Sequence, residues 1–216
     1  MTRFLPALFF LVFAGSAIKA EVKHYDLMLG QRQLGGLGFD TVTLDLVSDL
    51  DNTPLGVADG HFTAQTRPAR TAEGNAVTHY LAQSAERQIS VVVSAGQVIS
   101  TNVTPMHEAT AASAPEAVPA GTIVLNEGFA KIAMADTCPA PFTMYDGRRV
   151  MQIATLSQSA DAAGTLCDMD YHVIAGPGHL SPFRFTRLNM ALLYREGVLR
   201  LITVRAGGFE LRMVAR

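Results

Sequence analysis

Asp168, Asp170 and His172 form the sharpest chemical cluster in this chain. Successive side chains of an extended backbone point to opposite faces, so these alternating residues share one face of a strand. Two carboxylates and an imidazole so placed could hold a divalent cation or share a proton, the equipment of a hydrolase or metal-dependent enzyme. The plainer reading is a solvated face on which the acids pair with Arg149, Arg184 or Arg187 of neighbouring strands, each pair contributing about 0.2 to 1 kcal/mol. No further ligand stands at a motif spacing from the trio, which favours the plainer reading and predicts neither a metal site nor a cofactor.

Arg148 and Arg149 follow Asp146-Gly147, and guanidinium forks suit phosphate or carboxylate groups. With Tyr171 they are the candidate ligand contacts. The competing reading is that Asp146-Gly147 makes a hairpin turn and the arginines solvate a strand end. No Gly-x-Ser-x-Gly elbow lies beyond the N-terminal segment, and no His-Glu-x-x-His or phosphate loop occurs anywhere. Gly36-Leu37-Gly38 lacks the third glycine of a dinucleotide site. His24, His61, His79, His107 and His179 are scattered and read as surface or turn residues.

The elements that must position these groups are mostly strands. Glu21 to Gly30 places Tyr25, Leu27 and Leu29 on one face. Gly30 and the run Gly35-Gly36-Leu37-Gly38 bracket a turn, and Phe39 to Leu46 alternates again with Phe39, Val42, Leu44 and Leu46 as core candidates. Asp51-Asn52-Thr53-Pro54 is loop chemistry. His61 to Thr66, Val77 to Ala85 and Ile89 to Val93 read as strands, separated by a polar turn from Pro68 to Asn75 and a tight one at Ala95-Gly96-Gln97. Thr104 to Gly121 is rich in Ala, Pro, Ser and Glu without an apolar period, and reads as a long mobile loop. Leu125, Phe129 and Ile132 then recur at helical spacing, although Gly128 weakens that helix by about 1 kcal/mol relative to Ala. A meander follows: Phe142 to Tyr145, Arg149 to Ser157, Leu166 to Ile174, Phe183 to Tyr194, Val198 to Arg205 and Phe209 to Val214. Short strands with frequent turns predict a mainly β fold, a curved antiparallel sheet or partly closed barrel with one helix across its apolar face.

Along the strand from Cys167, the residues Cys167, Met169, Tyr171 and Val173 form the core-facing set. Cys138 and Cys167 are the two cysteines, and an even, minimal count in an exported chain reads as one disulfide. Closing a loop of about 30 residues stabilises by roughly 3 to 4 kcal/mol. Export is predicted by the N-terminus: a basic start at Arg3, an apolar run from Phe4 to Phe13, then small residues. The run is shorter than the roughly 20 apolar residues of a spanning helix. Residues 1–20 therefore read as a signal peptide, cut after Ala17 or Ala20, and 21–216 as a single periplasmic domain with no integral membrane span. At 49% hydrophobic the chain can build a packed core, and a net charge of −2 gives no field to attract nucleic acid. Aromatic content of 7% with no Trp argues against the girdles of an outer-membrane barrel.

The segments Tyr145-Asp146-Gly147-Arg148-Arg149 and Cys167-Asp168-Met169-Asp170-Tyr171-His172-Val173-Ile174-Ala175-Gly176, with Cys138 ahead of them, resemble an uncharacterised family of exported bacterial proteins, domain of unknown function 3108. Tyr25-Asp26-Leu27-Met28-Leu29-Gly30 looks like that family's first hairpin. The resemblance implies a periplasmic, sheet-rich domain with no assigned reaction. Apolar, Met-containing strands (Met28, Met151, Met169, Met190, Met213) suit either plain core packing or the holding of an acyl chain or peptide. The expectation is thus a non-enzymatic binder of a lipid or other apolar ligand, or of an envelope protein. The alternatives are an enzyme working on the Asp168, Asp170 and His172 face and a structural module of envelope assembly.

Overall fold

A computed structural model describes residues 21–51, 60–179 and 184–216. The N-terminal segment 1–20, Asn52-Thr53-Pro54 and Phe183 lie outside the described residues. Among the described residues, fourteen strands form one sheet in the order β7-β6-β5-β4-β3-β2-β1-β14-β13-β12-β11-β10-β9-β8. The first arm comprises β1 (Val22–Leu29), β2 (Arg32–Asp40), β3 (Leu46–Leu50), β4 (Gly60–Arg70), β5 (Ala76–Gln83), β6 (Gln88–Ser94) and β7 (Gln97–Thr104). The second comprises β8 (Ile123–Val124), β9 (Phe142–Tyr145), β10 (Val150–Asp161), β11 (Gly164–Ala175), β12 (Arg187–Arg195), β13 (Val198–Ala206) and β14 (Phe209–Ala215). Neighbours run antiparallel except β8 and β9, and β1 pairs with β14 to join the arms.

The sheet is not closed into a barrel by backbone pairing, yet it curves until its arms meet. Thr101 Oγ1 on β7 stands 3.1 Å from Tyr145 Oη on β9. The seam between them is covered by residues 105–121. This loop has no apolar period, as its composition suggests, but it is well anchored rather than free. It carries three single-turn 3-10 helices, Met106–Glu108, Ala111–Ser113 and Pro115–Ala117. Thr110 Oγ1 donates to the Arg148 carbonyl at 2.7 Å, Ser113 Oγ to the Gly147 carbonyl at 2.8 Å, and Tyr145 Oη to the Ala112 carbonyl at 2.9 Å. Glu108 meets Arg87 at 2.7 Å and Arg148 at 2.9 Å. Burial raises the Glu108 pKa, but the Arg87 hydrogen bond and the Arg87, Arg148 and His107 charges outweigh it and hold the carboxyl below its ordinary value.

The helix α1 (Leu125–Ala133) lies against the inner face of the sheet. Glu127 accepts the Val124 N–H at 3.2 Å and so satisfies one orphan donor of its first turn. Phe129 packs edge-on against Tyr25 and Phe39, with ring centroids 5.9 and 5.2 Å away. Asn126 is buried and satisfied: its amide donates to the Leu44 carbonyl and accepts from Thr66 Oγ1, both at 2.9 Å. Gly128 has a packing reason, since a Cβ there would sit 2.7 Å from Met144 Sδ on β9. The helix gives up propensity to come close to the sheet.

Several boundaries differ from the sequence reading. The turn expected between Gly30 and the run Gly35-Gly36-Leu37-Gly38 is confined to its first end: the chain reverses at Gly30, with φ +59°, and the run itself lies in the middle of β2. Phe39 to Leu46 is not one strand. Asp40 Oδ1 accepts the N–H groups of Val42 and Thr43 at 2.8 and 2.9 Å, which closes a turn and leaves Val42 exposed. Pro68 belongs to β4 rather than to a turn. β3 pairs only with Gly60 to Ala64, so one side of β4 is open where proline lacks its N–H. β7, to which the sequence reading assigned no strand, anchors its edge through buried Val98 and Val103.

Candidate functional site

Between α1 and the sheet lies a cavity of about 300 Å³, at the lower end of small-molecule sites. The helix contributes Leu125, Phe129 and Ile132 to its wall. The sheet adds Leu37 and Leu46 from one arm and Met144, Ile153, Tyr171, Leu188 and Met190 from the other, with Ile202, Val204, Leu211 and Met213 from β13 and β14. Strand alternation explains the selection: residues at i and i+2 of each strand face inward together. Of the methionines singled out in the sequence, Met190 and Met213 line the cavity, while Met151 and Met169 are buried core.

Among the described residues, Tyr171 has the only lining side chain with an oxygen or nitrogen. Its hydroxyl oxygen is 2.7 Å from His179 Nε2. His179 Nδ1 is 2.7 Å from Arg149 Nη1, and Arg149 Nε donates to Asp146 Oδ2 at 2.8 Å. The other Asp146 oxygen accepts the N–H groups of Arg148 and Arg149 at 2.9 and 2.7 Å, which fixes the β9–β10 turn. These four residues form a continuous polar chain leading to the cavity wall. Burial, and then the charge of Arg149, lower the His179 pKa to about 4, so its imidazole is neutral at neutral pH. Tyr80 stands close enough for burial and the Asp146 charge to raise its pKa, and its buried hydroxyl has no hydrogen-bond partner among the described residues.

Residue type and spacing point to Tyr171 and Arg149 but leave His179 among the surface and turn residues. The available signal was Gly176-Pro177-Gly178, which bends the chain back after β11 and brings His179 beside Tyr171. The bend is held by paired bonds between His179 and Phe185 backbones at 2.8 and 2.9 Å. Arg148 does not join this group. It turns to the seam, where its Nε donates to the Glu108 carbonyl at 2.6 Å.

The trio Asp168, Asp170 and His172 lies on the outer face of β11. Asp168 accepts from Ser157 Oγ at 2.8 Å, Asp170 stands 3.5 Å from Arg187 Nη1, and His172 Nδ1 stands 3.5 Å from Arg187 Nη2. Arg187, opposite His172 in the β11–β12 register, is one of the three arginines that the plainer reading offered and reaches Asp170 but not Asp168; no contact of the acids with Arg149 or Arg184 is present among the described residues. Nor does any group of three or more His, Cys, Asp or Glu side chains stand close enough to hold a metal among the described residues.

The disulfide joins Cys138 to Cys167, 29 residues apart in sequence. It ties the segment entering β9 to β11, and Cys167, Met169 and Val173 are buried on the inner face with it. No helix among the described residues is long and apolar enough to cross a membrane. No family model matches this chain, and neither a curated protein nor a solved structure matches it.

Proposed function

We propose that this chain is an exported, periplasmic binding protein without enzymatic activity, which takes one alkyl or acyl chain of a lipid or a similar apolar molecule in the cavity beneath α1. The observation that carries the reading is a cavity of about 300 Å³ whose lining side chains, among the described residues, are hydrocarbon and thioether except for a single phenol. Filling such space with an apolar ligand restores dispersion contacts that its lining otherwise lacks. Methionine side chains on the wall accommodate chains of different shape. The disulfide and the signal-peptide layout of residues 1–20 support the compartment, and the resemblance to domain of unknown function 3108 agrees with it.

The test is native mass spectrometry of protein purified from a periplasmic extract, with titration of N-phenylnaphthylamine, a dye that brightens in apolar sites. A lipid-mass adduct and a saturable rise in fluorescence are expected. Val204→Trp, which fills the cavity from β13, abolishes both while the protein stays folded. A bare wild-type protein that leaves the dye dark overturns the reading.

A further inference from the structure

We infer that the cavity selects a neutral apolar ligand carrying one hydrogen-bond acceptor, such as a ketone or ester oxygen, and that the Tyr171 hydroxyl proton reads it. This deepens the proposed function and rests on the cavity being a ligand site.

The argument is one of donors and acceptors. A guanidinium has only donors, so across the 2.7 Å contact Arg149 donates and His179 Nδ1 accepts. A ring nitrogen that accepts carries no proton. The neutral imidazole therefore holds its proton on Nε2. A proton on Nδ1 instead would set donor against donor at that distance. Nε2–H then donates to the Tyr171 oxygen, also at 2.7 Å. The phenol has one proton of its own, and this bond does not use it. Among the described residues no hydrogen bond takes that proton up, and the other side chains that line the cavity offer only hydrocarbon and thioether groups. A donor left unpaired against an apolar wall is costly, and a ligand oxygen is the group that completes it.

The far end of the chain fixes the charge. Asp146 balances Arg149 in an ion pair at 2.8 Å, so the relay presents a polarised neutral donor rather than a cation. A carboxylate would enter apolar space with no net countercharge. A ketone or ester oxygen meets the phenol without that cost.

The probes are methyl hexyl ketone and n-octane, which share a chain length and differ in one acceptor. Their uptake by the protein is read from depletion of headspace vapour. Both are expected to bind the wild type. Tyr171→Phe is expected to weaken the ketone about 5- to 10-fold and to change n-octane by less than about twofold. Binding of n-octane reports that the variant's cavity is intact. If Tyr171→Phe leaves the ketone unchanged, the acceptor inference fails and the apolar site stands. If the wild type takes up neither probe, both readings fail. A second measurement uses the wild type alone: the carbonyl infrared stretch of bound ketone is expected at lower wavenumber than in octane solution, and an unshifted stretch overturns the inference.

Discussion

Strand β11 carries two sets of side chains that alternate along one backbone. Asp168, Asp170 and His172 point outward, where they meet Ser157 and Arg187. Cys167, Met169, Tyr171 and Val173 point inward, where they hold a disulfide, a buried core and the polar end of a cavity. By residue type the outward set looks richer in chemistry. By surroundings the inward set is. Charges in contact with water are solvated and screened, whereas a polar group in a low-dielectric interior must have a fixed partner. Tyr171 has one through His179, Arg149 and Asp146, and each member of that relay is immobilised by the next.

The largest expected effect lies on the inward face. Replacing Cys138 and Cys167 together by Ala frees a loop spanning 29 residues and leaves small gaps at buried Cys167 and half-buried Cys138. Loss of roughly 3 to 4 kcal/mol is expected, a fall in Tm on the order of 10 °C. Denaturant unfolding of the oxidised protein and the double variant measures it. A difference below about 1 kcal/mol would break the comparison, because the inward face would then anchor the strand no better than the outward one.

The relay gives the next effect, through pH. His179 titrates at about 4 in the folded protein against 6.5 when unperturbed. Its folded pKa is depressed, so the folded state binds fewer protons than the unfolded state within that window. The contribution is complete above 6.5 and is lost as pH falls towards about 4, amounting to about 3 kcal/mol at most. Glu108, also held below its ordinary value, loses stability in the same direction at lower pH. His179→Gln removes the imidazole term. Wild type and variant stabilities, measured by denaturant at steps across this window, should therefore converge as the solution is acidified. Parallel curves would show that the surroundings of His179 do not couple its protonation to folding.

What the sequence revealed of this arrangement follows the range of each interaction. Alternation is local, so the two faces of β11, the Asp146-Gly147 hairpin and the helix at Leu125, Phe129 and Ile132 were legible. The disulfide was legible because the cysteine count left one pairing. Gly30 to Gly38 shows the place of a turn but not its extent, because glycine in a strand and glycine beside a turn look alike without knowledge of the neighbouring strand. At Gly35 a Cβ would strike the Asp49 carbonyl of β3, a tertiary fact. Asp40 misled in the opposite sense, since its side chain closes a turn inside an apolar stretch. His179 is not legible as a relay member because its partner Arg149 lies 30 residues away. Similarly, Thr104 to Gly121 looked free because its anchors are carbonyls of the β9–β10 turn, which composition does not record.

The smallest effect is expected on the outward face, and it is the most direct test of the comparison. Arg187 is 65% exposed and stands 3.5 Å from Asp170, a distance at which water competes with the pair. Exposed pairs of this kind contribute a few tenths of a kcal/mol, and ordering two long side chains offsets part of the gain. Asp170→Asn should therefore shift stability by less than about 0.5 kcal/mol, and the shift should shrink in high salt. The bond from Ser157 Oγ to Asp168 occupies one carboxylate oxygen, and Arg187 stands over both Asp170 and His172. A divalent ion would have to displace a guanidinium to gather the three. Addition of zinc or manganese should accordingly leave Tm unchanged in both the wild type and Asp170→Asn. A metal-dependent rise in Tm that Asp170→Asn removes would invert the comparison and make the outer face of β11 the working one.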